Sequence, residues 1–486
     1  MAQRTIFSLF FFIAVFFTGV LQPFVGLGSI AAAREALPNA MPASSCLSCH
    51  SSVQLDAQHS LACTNCHAGD AQASDKESAH KGLLAEPAHP RNMEKTCGKC
   101  HGAETKSAAH SSHFLLLQEI NMTRSHFGVD KVVAGPEQIA VAPPEMNKEA
   151  LVDDMLRRRC LRCHVYSKGD DYINTRHGSG CAACHLSFQN GKLISHAFVR
   201  PGKKQCLSCH YGNYVGSDFY GYYEHDFPDE YRSPFTKTGL SERPYGLEEH
   251  NLAPDIHAQR GLSCLDCHQG FTHREKAAIT CHDCHAWSPG MALPRLRTLS
   301  VAKDQLILTD VTQGKKHVVP ALRHPAHKEY GNRVDCQVCH AQWSYNDTES
   351  SLLLSYSADV EEWTWLTVQG SSEIEKRLED LLFGNDTDTD PAMRDGLTGE
   401  LRPGFWLKGY YERRWERMII QKDADGKLKV FRPILNLRLS LLQADGTVPF
   451  NNIKGRDAGL RPYVPHTTGP AGLFYLNRLS GLADPE

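Results

Sequence analysis

The sequence predicts a chain of short helical turns and loops wrapped around something other than side chains, followed by a small, mainly β domain. Three observations predict it. Nine Cys-x-x-Cys-His pentapeptides crowd residues 46–340. The hydrophobic fraction is 41%, below the roughly 45–50% usual for globular domains, in a chain long enough for two or three of them. The final third lacks the pentapeptide and contains leucines alternating with period two. Each of the 18 cysteines lies in a pentapeptide, so none is left for a structural disulfide or a cysteine nucleophile. The net charge of −3 gives no basic footprint and argues against a nucleic-acid partner.

At the N-terminus no charged residue occurs between Arg4 and Arg34, and residues 6–20 are almost wholly apolar. This pattern predicts a secretory signal over residues 1–33, with Ala31, Ala32 and Ala33 as the small-residue cleavage pattern. The rival reading is an uncleaved anchor, since a stretch of this length could span a bilayer. Pro23 and the glycines after it favour cleavage. Export to the periplasm or cell surface follows.

The pentapeptides are Cys46/Cys49/His50, Cys63/Cys66/His67, Cys97/Cys100/His101, Cys160/Cys163/His164, Cys181/Cys184/His185, Cys206/Cys209/His210, Cys264/Cys267/His268, Cys281/Cys284/His285 and Cys336/Cys339/His340. Composition alone would give about 0.04 of them. On a helical turn, positions i, i+3 and i+4 share one face, so two sulfurs can bond the vinyl carbons of a haem while the adjacent imidazole reaches the iron. Paired Cys-x-x-Cys groups also bind zinc, but zinc sites do not need a histidine directly after the second cysteine. Nine covalent c-type haems are therefore expected. With these motifs the chain resembles the multihaem c-type cytochromes of bacterial respiration. The resemblance covers residues 46–340 and implies a fold of haem wrapped by short helices and coil, with electron transfer between redox partner proteins, either other cytochromes or a membrane quinone-linked complex.

Seventeen histidines remain beside the nine that end the motifs. Seven motifs have one within ten residues upstream, where random placement predicts about three: His59, His89, His177, His196, His257, His273 and His327. This excess predicts bis-histidine ligation at most irons, with an upstream histidine often serving a neighbouring haem. Only 9 Met are present, and none repeats in relation to the motifs, so low-potential haems are expected. The first and fourth motifs lack a close upstream histidine. His80, His110, His113 and His126 are candidates to close them; otherwise the gap marks an open coordination site.

The spacing predicts a first haem-bearing unit over residues 34–130 and a proline-containing linker with a helix over 131–155, the helix continuing to 159. A second haem-bearing unit covers 156–345. An aromatic run from Tyr211 to Phe235 reads as packing against porphyrin faces, with a tyrosine lining a substrate or carrying charge as the functional alternative, and His225 within it could be a ligand. Residues 346–486 read as a haem-free, mainly β domain that docks on a partner or covers one haem. It holds a strand over 435–441, another over 410–421, a turn at 422–426, and a helix near 373–382 capped by Ser372 and Glu375. The acidic run from Asp386 to Asp390 matches a calcium loop at its first three ligand positions only, so it reads as a solvated loop.

Electron transfer is the function these features favour. The alternative is a multihaem oxidoreductase acting on a small nitrogen or sulfur oxyanion at one five-coordinate haem. Nitrite reductases, whose catalytic motif ends in lysine, would be the comparison, and no Cys-x-x-Cys-Lys occurs here. A third reading is a structural cytochrome that assembles with copies of itself into filaments. No catalytic residue is assigned.

Overall fold

The computed structural model describes residues 46–212, 214, 216–225, 243–269, 279–347, 349–363, 368–384, 390–409, 413–414, 418–471 and 473–482. Outside them lie the signal segment, His273, Phe235 with its neighbours in the aromatic run, Asp386 and Asp388, and half of the strand expected over 410–421. Residues Ala43–Glu486 pack as one compact unit. No helix among the described residues is long and apolar enough to cross a membrane.

The pentapeptides fall on short helical turns: Cys46–Cys49, Thr64–His67, Cys97–Lys99, Leu161–Cys163, Cys181–His185, Lys203–Leu207, Cys264–Cys267, Cys281–His285 and Cys336–His340. The expectation that short helices and coil fill the haem-bearing part is corrected, because strands run through it as well. Antiparallel pairs join Ser187–Gln189 to Lys192–Ser195 and Tyr222–His225 to Glu248–Asn251, and a three-stranded sheet orders Leu299–Ala302, Gln305–Thr309 and Lys316–Val318. The molecule is a mixed fold with several small sheets. Motif spacing misses them because the long gap between the eighth and ninth motifs has its own β signals. Leu299, Leu306 and Leu308 are buried on one face, and Lys303 and Asp304 take the positive φ values, 50° and 57°, that a tight hairpin turn demands.

In the C-terminal part a four-stranded sheet runs in the order Phe405–Lys408, Ser350–Ser355, Leu437–Leu442, Phe450–Lys454, its central pair parallel and its outer pairs antiparallel. The leucine alternation puts Leu439 and Leu441 inward, beside Leu352 and Leu354. Their core is shared with Leu151, Val152, Met155 and Leu156, so the segment leading into the fourth motif and the haem-free sheet bury one another. A second sheet orders Ile419–Lys422, Leu428–Pro433 and Leu460–Pro462. Its first two strands meet at the expected turn, where Gly426 has φ of 79° and Lys429 Nζ bonds the Asp423 and Asp425 carboxylates at 2.7 Å each. The helix Ser372–Leu382 forms where expected. Its N-cap is Ser371, not Ser372, and Glu375 accepts from the amides of Gln369 and Gly370 at 2.9 Å each.

The helix expected through residue 159 is α-helical only over Lys148–Met155, and Leu156–Cys160 is a π-turn. Buried ion pairs fix it. Arg157 Nε bonds Asp395 at 2.6 Å, and Arg158 bonds Asp154 at 2.6 Å. Arg162 reaches Asp170 at 2.7 Å and Glu373 at 2.6 Å, and Arg124 pairs with Asp153. Breaking one such pair leaves an uncompensated buried charge.

Candidate metal centres

Seven motif histidines each face one histidine from elsewhere in the chain at nearly the same separation. The ring centroids are 6.2 Å apart for His50 and His80, 6.1 Å for His101 and His59, and 6.2 Å for His67 and His196. They are 6.2 Å for His210 and His113, 6.1 Å for His285 and His257, 6.2 Å for His268 and His466, and 6.0 Å for His340 and His327. Interplanar angles run from 18° to 77°, so the rings are not held by stacking, which would fix the angle. A fixed distance with free rotation suits two ligands on one atom. Two metal–nitrogen bonds of about 2.0–2.1 Å, with the half-width of a ring beyond each, put ring centres roughly 6 Å apart. Among the described residues no group of three or more His, Cys, Asp or Glu stands as a metal cluster. The arrangement is one imidazole on each side, beside two thiols, and this donor set fits c-type haem.

The hydrogen bonds set the tautomer this needs. Nδ1–H donates to a backbone carbonyl in His67 (Leu84, 2.9 Å), His185 (Val199, 3.0 Å), His285 (Pro320, 2.8 Å) and His340 (Gly469, 2.9 Å). It donates to a carboxylate in His59 (Asp56, 2.9 Å) and His257 (Asp255, 2.7 Å). The proton is thus on Nδ1 and the Nε2 lone pair is free to ligate. Burial pushes His196, His268 and His285 below the ordinary imidazole value, which favours the neutral ring a metal requires. Burial works against ionisation of Asp56, but the amides of Phe198, His59 and Gln58 and the His59 ring outweigh it and hold the carboxyl at about 2. Asp56→Asn leaves His59 with a neutral acceptor and a less electron-rich ring. The expected result is a rise on the order of tens of millivolts in one haem potential, read by potentiometric titration, with an unchanged titration counting against the assignment.

The spacing of motif and upstream histidine does not give the pairing. His59, His196 and His257 each face a motif histidine other than the one they precede, whereas His327 faces its own. His80, from the pool considered for the first motif, stands opposite His50, but His113 stands opposite His210. His110 and His126 face no motif histidine among the described residues; His126 packs edge-on to Phe127. His89 lies edge-on to Tyr166 at 5.0 Å, and His177 is buried with Nε2 3.5 Å from Cys209 Sγ. Neither is brought to a motif imidazole among the described residues. His466 was in the spare pool with nothing to mark it. It sits about 200 residues beyond its partner motif, and only the tertiary path of the tail brings it back.

The motifs themselves come together in order. The thiols of Cys46 and Cys63 meet, as do those of Cys97 and Cys181, Cys206 and Cys264, and Cys281 and Cys336. Cys66 lies close to Cys97 and Cys100, Cys184 to Cys209, and Cys267 to Cys284. Four thiol meetings and three looser approaches thus place motifs one, two, three, five, six, seven, eight and nine in one succession. Motif four stands beside it, touching the line where Cys163 approaches Cys209 of motif six. No family model, curated protein or solved structure matches the chain.

Proposed function

We propose that this protein is an exported electron carrier holding nine covalent c-type haems and passing electrons between redox partner proteins. The observation that carries the reading is the set of seven imidazole pairs, each joining a motif histidine to a distant one at 6.0–6.2 Å. Each bound haem supplies an iron that alternates between ferrous and ferric states. The chain's contribution is to hold ring nitrogens for the iron in advance, with the Nδ1 protons of His59, His67, His257, His285 and His340 on carboxylate or carbonyl acceptors, so that little reorganisation accompanies a change of charge. The succession of neighbouring motifs supports a carrier in preference to a set of isolated centres.

The test is an iron count and a spin census on the purified oxidised protein. Nine irons per chain, with low-spin signals at the seven paired positions, are expected. A colourless protein, or one holding zinc in place of iron, would sink the proposal. Because the haems are also part of the interior, chain made where haem is not attached is expected to lack cooperative unfolding, read by circular dichroism during a thermal melt.

A further inference from the structure

We infer that the haem held by Cys160, Cys163 and His164 has its sixth coordination position open to a small ligand, so that this centre binds molecules from solution while the line beside it carries charge. The inference rests on the haem reading above; of the two motif histidines outside the seven pairs, His185 has its Nδ1 proton on the Val199 carbonyl at 3.0 Å, as paired rings such as His67 have, whereas His164 has no such bond.

His164 is 3% exposed, its Nδ1 and Nε2 have no partner at normal hydrogen-bond geometry, and the backbone of His113 and Phe114 lies beside the ring. Its ring neighbour is a phenol: Tyr166 stacks on it at 5.1 Å and 16°. A parallel stack covers the face of the imidazole, not the in-plane direction through which a ring nitrogen binds a metal. Among the described residues no imidazole stands at the separation seen for the seven pairs. The two spare buried histidines nearby are engaged elsewhere. His89 Nδ1 accepts from the Arg91 amide at 3.2 Å, which puts the proton on Nε2 and makes it the wrong tautomer for ligation through that atom. His177 has the right tautomer, with Nδ1 donating to the Gly178 carbonyl at 2.7 Å, but its Nε2 faces Cys209 of motif six.

The local backbone also differs. Motif four enters through a π-turn, Leu156–Cys160, and a 3-10 turn, Leu161–Cys163, where six of the other motifs lie on α-helical turns that include both of their cysteines or the second with its histidine. π-turns are rare and concentrate at functional sites. Arg157, Arg158 and Arg162 tie the segment on both flanks to Asp395, Asp154, Asp170 and Glu373, so it cannot swing to gather a distant ligand. Contact of Cys163 with Cys209 gives the site one neighbour in the line, as suits a spur that draws electrons from it.

The experiment titrates carbon monoxide into the dithionite-reduced, fully haem-loaded protein and cyanide into the oxidised protein, after an iron count has established nine haems. One carbon monoxide per chain is expected, together with a high-spin electron paramagnetic resonance signal integrating to one iron of nine and abolished by cyanide. The C160S/C163S double variant, which loses that haem, should retain eight irons and bind none. If it fails to fold, His164→Gly, which keeps nine irons but deprives that haem of its imidazole, should shift the absorption band of the one carbon monoxide-bound haem, and added imidazole should shift it back. A parent that is wholly low-spin and takes up no carbon monoxide overturns the inference without touching the haem reading, and so does undiminished uptake by the double cysteine variant or a carbon monoxide-bound band that His164→Gly leaves unmoved. An iron count near zero overturns the reading beneath it.

Discussion

Replacing His466 by alanine is expected to turn one low-spin haem high-spin while leaving the rest of the protein intact. The ring of His466 stands 6.2 Å from that of His268, and its loss leaves the seventh motif with a single imidazole. The backbone around it does not depend on the ring. The His466 amide donates to Asp218 at 2.9 Å, Thr467 Oγ1 to the Trp343 carbonyl at 2.6 Å, and the Thr468 amide to Asp255 at 2.7 Å. The stretch should therefore stay in place, and the vacated position should take water or an added ligand. The potential of that haem is expected to rise on the order of 100 mV, since axial ligands set haem potentials over a wide range. A spin census identical to that of the parent would remove His466 from the ligand set.

Trp406→Ala should cost about 3–5 kcal/mol of stability, the usual loss for deleting a large buried aromatic side chain. Trp406 is fully buried in the core that the sheet shares with residues 151–156. Its indole N–H donates to Asp154 at 2.7 Å, the same oxygen that accepts two bonds from Arg158. Arg158 in turn donates to the carbonyls of Pro403 at 2.7 Å and Gly404 at 2.8 Å, beside the tryptophan strand. The substitution thus opens a cavity and loosens the arginine that steadies the fourth motif. Chemical denaturation should show the loss as an earlier midpoint, and a shift equivalent to less than 1 kcal/mol would mean that the shared core contributes little.

Nine repeated pentapeptides can be read without any structure because a thioether-forming motif is local: five residues on one helical turn contain both sulfurs and the first imidazole. The leucine strand, the 422–426 turn and the 372–382 helix were legible for the same reason, since periodicity and capping are properties of neighbours. The hairpins over 299–318 were equally local, and attention to motif spacing alone passed over them. Second ligands are another matter. His59, His196 and His257 announced themselves by lying near a motif, but each faces the histidine of a different one while His327 faces its own, so nearness along the chain does not decide the pairing.

The amino-acid order alone therefore settles what each centre would be made of: two sulfurs and one nitrogen, nine times over, with histidine more plentiful than methionine for the remaining bond. Which histidine completes which centre was decided by the folded chain, because the two rings of a pair come from segments up to about 200 residues apart and meet only when intervening loops are packed. The place of the fourth motif beside the line, with a tyrosine on its imidazole and arginines locking its backbone to the C-terminal sheet, belongs to the same category. Covalent attachment is short-range chemistry written in adjacent residues, and closure of a metal site from its far side is long-range geometry that exists only in three dimensions.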